Sequence, residues 1–490
     1  MSPGRTKRIL FACIACLAAL VAVVMLERQR TGLTVETLQL ADSPVTVWRQ
    51  ATGGTGPLVV VAHGYAGSRQ MMQPIAISLA RAGFVVAAFD FYGHGRNDRP
   101  MAADITSLDG ATAQLVDQTI AITQAGRSLP GVTGPTALVG HSMATDIVIR
   151  AAERMDDVAG VVAISMYSDA VDPQSPERLL VVSGAWEGRL REVALDRVRQ
   201  VDPDADEGET VTSEGVARRA VAAPRVGHVG VLYSPTTLRE TRDWIATAMQ
   251  RPVSGAPASV SPWLALLLAS IVAIAWPLAG LLGPVAPARS LGGRTAFVAV
   301  TAPVVPALAA ATILPAGALG LSAFGSLAAF FGVWGGVQLI VLWWSGWRPS
   351  ALHLPGIALL LLWGLALFAP ALDRYGAAFV PTGTRLPVMV LLGLGTIPFC
   401  LADALIARAS GWLAWLGLRL LPIVTLFAAM LITPRLGVAF TVLPVLVLFW
   451  LVYGLAGRWV RARTGPETSG LALGLILAWA LAASTPLVAV

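Results

Sequence analysis

Thr136-Ala-Leu-Val-Gly140-His141-Ser142-Met143-Ala144 is the stretch on which the fold turns. It opens as a short apolar run of the kind that forms a buried strand, and it leads into an apolar helical stretch near 143–155. A strand that turns sharply into a helix puts its turn residue in a strained backbone conformation. Strand and helix crowd each other there, so the residues two positions either side must be small. Gly140 meets this need, and Ala144 stands where the G-x-S-x-G pattern has its second glycine. Ala is the smallest replacement, so the turn survives it.

Working outward, two more apolar runs end in glycine turns. Leu58-Val-Val-Val-Ala62-His63-Gly64-Tyr65-Ala66-Gly67 is one, a turn able to aim a backbone N–H at a developing oxyanion. Asp90-Phe-Tyr-Gly93-His94-Gly95 is the other. Strands are predicted at 58–62, 84–90, 136–140, 158–165, 179–183 and 217–226. Helices are predicted near 70–82, 110–127, 143–155, 188–200 and 236–249. This alternation is the α/β pattern.

The three motifs, H-G-x-x-G, D-x-x-G-x-G and G-x-S-x-G, resemble in order and spacing those of the α/β-hydrolase superfamily, above all its compact serine esterases and peptidases. The likeness covers residues 34–250. It implies an α/β-hydrolase sheet with flanking helices. It further implies Ser142 as nucleophile and the N–H groups of Tyr65 and Met143 as oxyanion hole. The family's chain order is Ser, acid, His, and of the five histidines only His228 and His353 follow Ser142. His353 begins an apolar span, whereas His228, in Val226-Gly227-His228-Val229-Gly230, follows the last predicted strand. The acid implied by position is Glu187, in Ser183-Gly184-Ala185-Trp186-Glu187, one methylene longer than the usual Asp. Asp169, after the preceding strand, is the alternative. Only about a dozen residues separate Ser165 from Leu179, so a large cap is missing and the site is expected to be open.

The resemblance implies hydrolysis of an ester, thioester or amide of a small-molecule or lipid-like acyl substrate through an acyl-enzyme, with no metal or organic cofactor. Two other readings stand beside it: a non-catalytic hydrolase fold that binds a ligand and regulates the membrane bundle, and an acyltransferase with a membrane acceptor. An inert turn is the bland reading of Ser142. His63, His94 and His141 are read as structural, Asp146 as a solvated or capping group, and Asp157 and the acidic run 202–214 as solvated loop without metal-ligand spacing.

Composition separates this stretch from the rest. The 490 residues are 55% hydrophobic and only 13% charged, against about 25% in a soluble protein. That excludes a wholly soluble, coiled-coil or disordered chain. Cys13, Cys16 and Cys400 all lie in apolar runs, which argues against a disulfide framework. The net charge of +6 is uneven: residues 1–8 carry +3 and residues 258–490 carry +8, leaving −5 for residues 9–257. Basic residues between apolar segments are a topology signal and not a nucleic-acid footprint.

Residues 9–26 form an apolar run behind a basic start, read as an uncleaved anchor. From residue 262 onward, spans are predicted at 262–283, 296–314, 324–345, 352–372, 386–407, 420–434, 437–456 and 470–489. The expected division is therefore a tail and anchor over 1–30, a hydrolase domain over 31–250, a polar linker over 251–261 and an eight-span bundle over 262–490. With a cytoplasmic N-terminus, inside loops hold eleven basic residues, including Arg289, Arg408 and Arg419. Short outside loops hold three, Arg374, Arg385 and Arg435. The bias fits the positive-inside rule and places the hydrolase domain outside the cytoplasmic membrane of a bacterium. Gly332-x-x-x-Gly336 and Gly470-x-x-x-Gly474 allow close helix packing, within the bundle or in an oligomer. Asp403, inside a span but five residues before Arg408, is a functional candidate by position or a snorkelling or paired carboxylate.

Overall fold

In the computed structural model, residues 3–105, 107–283 and 291–490 are described. They form two compact units. One comprises Ala22–Ala265 with Arg374–Ala378, the other Met1–Val21, Leu266–Asp373 and Phe379–Val490.

The first unit is built on a sheet of nine strands among the described residues: β1 Leu33–Leu40, β2 Ser43–Gln50, β3 Gly56–Ala62, β4 Val85–Phe89, β5 Val132–His141, β6 Val158–Ile164, β7 Arg178–Gly184, β8 Thr210–Ser213 and β9 Val216–Ala223. Their order is β1-β2-β4-β3-β5-β6-β7-β9-β8. The strands from β4 to β9 in that order pair in parallel, while β1, β2 and β8 add antiparallel edges. Every residue of β3 is buried, as a central parallel strand covered on both faces requires. Helix α1 Pro3–Arg28 precedes β1 and belongs up to Val21 to the other unit, while α2 Gln73–Arg81, α3 Ala113–Arg127, α4 Ala144–Glu153, α5 Gly188–Arg199 and α6 Pro235–Ala248 alternate with the strands. This is the α/β-hydrolase sheet with flanking helices that the resemblance implied.

Strand order positions the site. The chain leaves β3 for β4 on one side and returns through α3 to β5 on the other. Strand order therefore reverses at β3 and β5, and an open α/β sheet has its crevice at the carboxyl ends there. Ala62 pairs with Gly140, so the turns that follow these strands are neighbours.

Three features escaped the sequence reading. The β1–β2 hairpin turns on Ala41 and Asp42, both at positive φ (45° and 58°). Such a turn is normally signalled by Asn-Gly or Asp-Gly, and Ala-Asp hides it. The acidic run 202–214 is not all loop: β8 lies in it, paired to β9 through Glu214-Gly215 at φ 49° and 88°. The expected linker over 251–261 is packed: Ala258 and Val260 are buried, and Ala258 N–H donates to Ser78 Oγ at 2.9 Å.

Among the described residues, nine helices are long and apolar enough to cross a membrane by length and composition: Thr6–Arg28, Ser261–Ala279, Gly293–Ile313, Phe324–Trp344, Leu354–Tyr375, Arg385–Ala409, Trp412–Ile432, Val442–Thr464 and Pro466–Ser484. The short span expected at 420–434 is a helix of 21 residues that starts at Trp412. Arg419, expected in a loop, lies inside it because its charge is met there. The Arg419 guanidinium pairs with the Asp403 carboxylate and lies 3.8 Å from the Trp450 ring centroid. Arg385, also expected in a loop, opens a helix and is buried. Its Nη1 donates to Ala482 O and Thr485 O, each at 2.8 Å, meeting carbonyls that the end of Pro466–Ser484 leaves unsatisfied. Arg458, Arg461 and Arg463 stand in the helix Val442–Thr464. Arg289 lies outside the described residues. Three of the four motif glycines face other parts of the chain: a Cβ on Gly470 would meet Leu401 Cα at 2.6 Å, one on Gly474 would meet Ile397 Cα at 2.5 Å, and one on Gly332 would meet Gly395 Cα at 3.6 Å, while one on Gly336 would meet open space.

Candidate active site

Ser142 occupies the turn between β5 and α4 at φ 54°, a left-handed conformation that a side-chain-bearing residue adopts only under constraint. The crowding is measurable. A Cβ on Gly140 would meet Ala144 O at 2.5 Å, and one on Gly64 would meet Ser142 Cβ at 3.0 Å. Ala144 is fully buried, so its position tolerates one methyl and little more. Ser142 N–H donates to Ile164 O at 2.9 Å, and the Ser142 carbonyl accepts from Thr145 N–H and Thr145 Oγ1. The turn is held from both sides.

His228 follows β9, and its Nε2 lies 2.8 Å from Ser142 Oγ. Its Nδ1 lies 2.6 Å from Glu187 Oε1. Glu187 follows β7 and is the residue preceding α5. Its other oxygen, Oε2, accepts from Ser165 Oγ at 2.7 Å and Gly184 N–H at 2.6 Å. Burial alone would raise the Glu187 carboxyl, but donors from His228, Ser165 and Gly184 outweigh it and hold the group below the usual range. Glu187 is thus an ionised acceptor with both oxygens used. An unbroken chain of hydrogen bonds runs from Ser142 through His228 to Glu187.

Asp169, the alternative acid, is elsewhere. It is 84% exposed and pairs with Arg150 at 2.6 Å. Arg150 also pairs with Asp146, which in turn accepts from Ser168 Oγ. Met143 stands at the start of α4, where the first N–H groups of a helix lack intrahelical acceptors. Tyr65 lies in the turn after β3, and its ring packs edge-on against His94. Burial raises the Tyr65 hydroxyl, so it stays protonated.

The remaining histidines hold the frame. His63 Nε2 accepts from Phe91 N–H at 3.1 Å, which leaves Nδ1–H to donate to Gly64 O at 2.7 Å. It therefore ties the turn after β3 to the turn after β4, and burial pushes it well below the usual histidine value. Asp90 works between the same turns: fully buried, it pairs with the Arg69 guanidinium and accepts from Arg69 N–H and Arg96 N–H. A Cβ on Gly95 would run into that carboxylate, which explains the last glycine of the second motif. His141 is buried, and its Nε2 lies 2.8 Å from the His228 carbonyl oxygen. Burial, with the nearby His228, pushes His141 down to about 4. A neutral His141 donating to that carbonyl fixes the backbone that carries His228.

Two of these contacts were missed in the sequence: Ser165 to Glu187, and His141 to the His228 carbonyl. Ser165 ends its predicted strand, but only the pairing of Ile164 with Val182 sets it beside Gly184 and Glu187. A second cleft, about 470 Å³, lies at the opposite, amino ends of β6 and β7 beside Val158, Gly160 and Arg178, far from this chemistry.

Residues 55–196 match the sequence model of a family described as serine aminopeptidase, S33. An uncharacterized protein of Mycobacterium tuberculosis is 36% identical over 63 residues, 13% of this chain and 22% of that protein. The chain thus spans about a fifth of the length of the curated relatives it matches. Among solved structures, TT1662 from Thermus thermophilus is 16% identical, aligned over 45% of this chain and 99% of that one with a TM-score of 0.32. Dienelactone hydrolase from Anabaena variabilis is 17% identical over 44% of this chain and 94% of that one, with a TM-score of 0.33. Strand order, the turn at Ser142 and the family match over residues 55–196 together identify the sheet-bearing unit as an α/β hydrolase, fused in one chain to a region of long apolar helices.

Proposed function

We propose that the chain is a membrane-anchored serine hydrolase that cleaves an ester, thioester or amide bond through an acyl-enzyme on Ser142. The observation that carries the reading is the hydrogen-bond chain from Ser142 Oγ to His228 at 2.8 Å and from His228 to Glu187 at 2.6 Å. His228 Nε2 takes the hydroxyl proton as Ser142 Oγ attacks the carbonyl carbon. Glu187 keeps the His228 proton on Nδ1 and stabilises the imidazolium that forms. The N–H groups of Tyr65 and Met143 receive the oxyanion, helped by the positive end of α4. His228 then protonates the leaving group, and water, deprotonated by the same nitrogen, releases the acyl group.

The serine aminopeptidase match supports a carbonyl substrate. Tyr167 after β6 and Trp186 after β7 are 76% and 74% exposed at the carboxyl ends of the strands, an apolar rim suited to a lipid-like acyl group. The nine apolar helices and the distribution of basic residues support anchoring in a bacterial cytoplasmic membrane with the hydrolase domain outside. The deciding experiment is labelling of the full chain with a fluorophosphonate probe. Wild type is expected to label and Ser142→Ala to stay blank. Labelling that persists without Ser142 refutes the assignment.

A further inference from the structure

Two guanidinium groups in the helical unit rest on one glycine. Arg463 Nη2 donates to Gly280 O at 3.4 Å. Arg8 lies against the open face of the same residue, where a Cβ would come within 2.9 Å of its guanidinium carbon, and it stacks 5.5 Å from the Trp276 ring centroid. Both arginines line a cavity of about 710 Å³ whose wall is otherwise mostly apolar, with Ile9, Ala12, Ile274 and Leu278 in it. Among the described residues, no carboxylate lines it. Arg463 Nε is shielded from solvent and has no hydrogen-bond partner among the described residues.

Like charges gathered in an apolar surrounding repel, and the repulsion is stronger there than in water. An anion between them reverses the sign. Guanidinium groups match phosphate oxygens in geometry and count of donors. A soluble anion would use the two charges but not the apolar wall behind them. An amphiphile uses both. Gly280 makes the arrangement possible, since any side chain there would displace Arg8.

We propose that this cavity binds the phosphate headgroup of an anionic phospholipid, with the acyl chains along the wall formed by Ile9, Ala12, Ile274 and Leu278. The inference rests on the membrane reading above. Residues 1–8 carry three basic groups and no acid, and a juxtamembrane basic cluster is where anionic lipid is drawn.

The test uses the full chain, purified in neutral detergent and equilibrated with equal amounts of phosphatidylglycerol and phosphatidylcholine. Native mass spectrometry counts the lipid retained. Wild type is expected to retain phosphatidylglycerol over phosphatidylcholine by on the order of tenfold. The Arg8→Gln/Arg463→Gln double variant is expected to lose that preference. Ala12→Trp, which fills the apolar wall and leaves both arginines in place, is expected to lose the retained lipid. Arg458→Gln, an exposed arginine on the same helix as Arg463, is expected to keep it. Equal retention of the two lipids by wild type, an unchanged preference in the double variant, or an equal loss in Arg458→Gln overturns the site. Displacement of the lipid by millimolar glycerol phosphate overturns the lipid and leaves a soluble-anion site. Alkaline carbonate extraction reads the membrane assignment separately: release of the chain from membranes overturns that reading, whatever the lipid count.

Discussion

Glu187→Gln tests the site where its geometry is most specific. Gln has the size of Glu but one acceptor oxygen and one NH2. At Glu187, Oε2 accepts from both Ser165 Oγ and Gly184 N–H, while Oε1 accepts from His228 Nδ1 alone. A glutamine keeps two of these three bonds only by putting its oxygen at the Oε2 position. Its NH2 then faces His228 Nδ1, and both cannot donate to each other. The imidazole must adopt the tautomer protonated on Nε2, the nitrogen 2.8 Å from Ser142 Oγ. That nitrogen no longer accepts the serine proton. The reverse orientation sets the NH2 against two donors and loses both bonds. A wrong tautomer with the geometry intact costs about 10⁴ in kcat in the well-studied Ser-His-Asp case, so a fall of roughly 10³ to 10⁴ is expected here. The assay is turnover of a short-chain aryl ester by full-length protein, with the melting temperature followed alongside. Asp169→Asn is the control. Its carboxylate is 84% exposed and paired with Arg150, so a change below about twofold is expected, surface ion pairs being weak. A loss under tenfold in Glu187→Gln, or a larger loss in Asp169→Asn, refutes the reasoning and moves the acid's role elsewhere.

Other outcomes follow from the same contacts. Ser142→Ala and His228→Ala should each lower turnover on the order of 10³-fold or more, and the double variant little further, because residues acting as a unit are non-additive; additive losses in the cycle would count against a shared role. His141, held down to about 4, stays neutral in the folded chain between pH 6.5 and about 4 while the unfolded chain binds the proton. Its stabilising contribution is therefore present above pH 6.5 and is lost as pH falls toward 4, by about 3 kcal/mol in all; urea titrations against pH should show this, and His141→Gln should flatten the slope, with an unchanged slope refuting it. A fragment of residues 31–250 should keep ester turnover, since Ser142, His228 and Glu187 all lie within it. It should melt below the full chain, because it lacks Ala258, whose N–H donates to Ser78, and Ala378, whose N–H donates to Ser68 Oγ; equal melting temperatures would mean these contacts contribute nothing.

Much of the fold is legible in the sequence alone. A buried parallel strand must be continuously apolar, so β3, β5, β6 and β7 announced themselves, and small residues flanking Ser142 announced the sharp turn. The nine apolar segments were equally plain, because length and hydropathy are local properties. Hairpin turns on Ala41-Asp42 and Glu214-Gly215 were not, since their signal lies in backbone angles that no side chain there advertises. The span at 420–434 was cut short because a sequence shows the charge of Arg419 and not its partner Asp403. Which strand lies beside which is likewise absent from local pattern. Chain order could point to Ser142, Glu187 and His228 as residues at three strand ends, but they are separated by 41 to 86 positions. Only the order β5-β6-β7-β9 brings those ends side by side, sets Ser165 under Glu187, and turns His141 toward the His228 carbonyl. Distances of 2.6–2.8 Å between side chains are set by packing across the sheet, which is a property of the folded chain and of no segment within it.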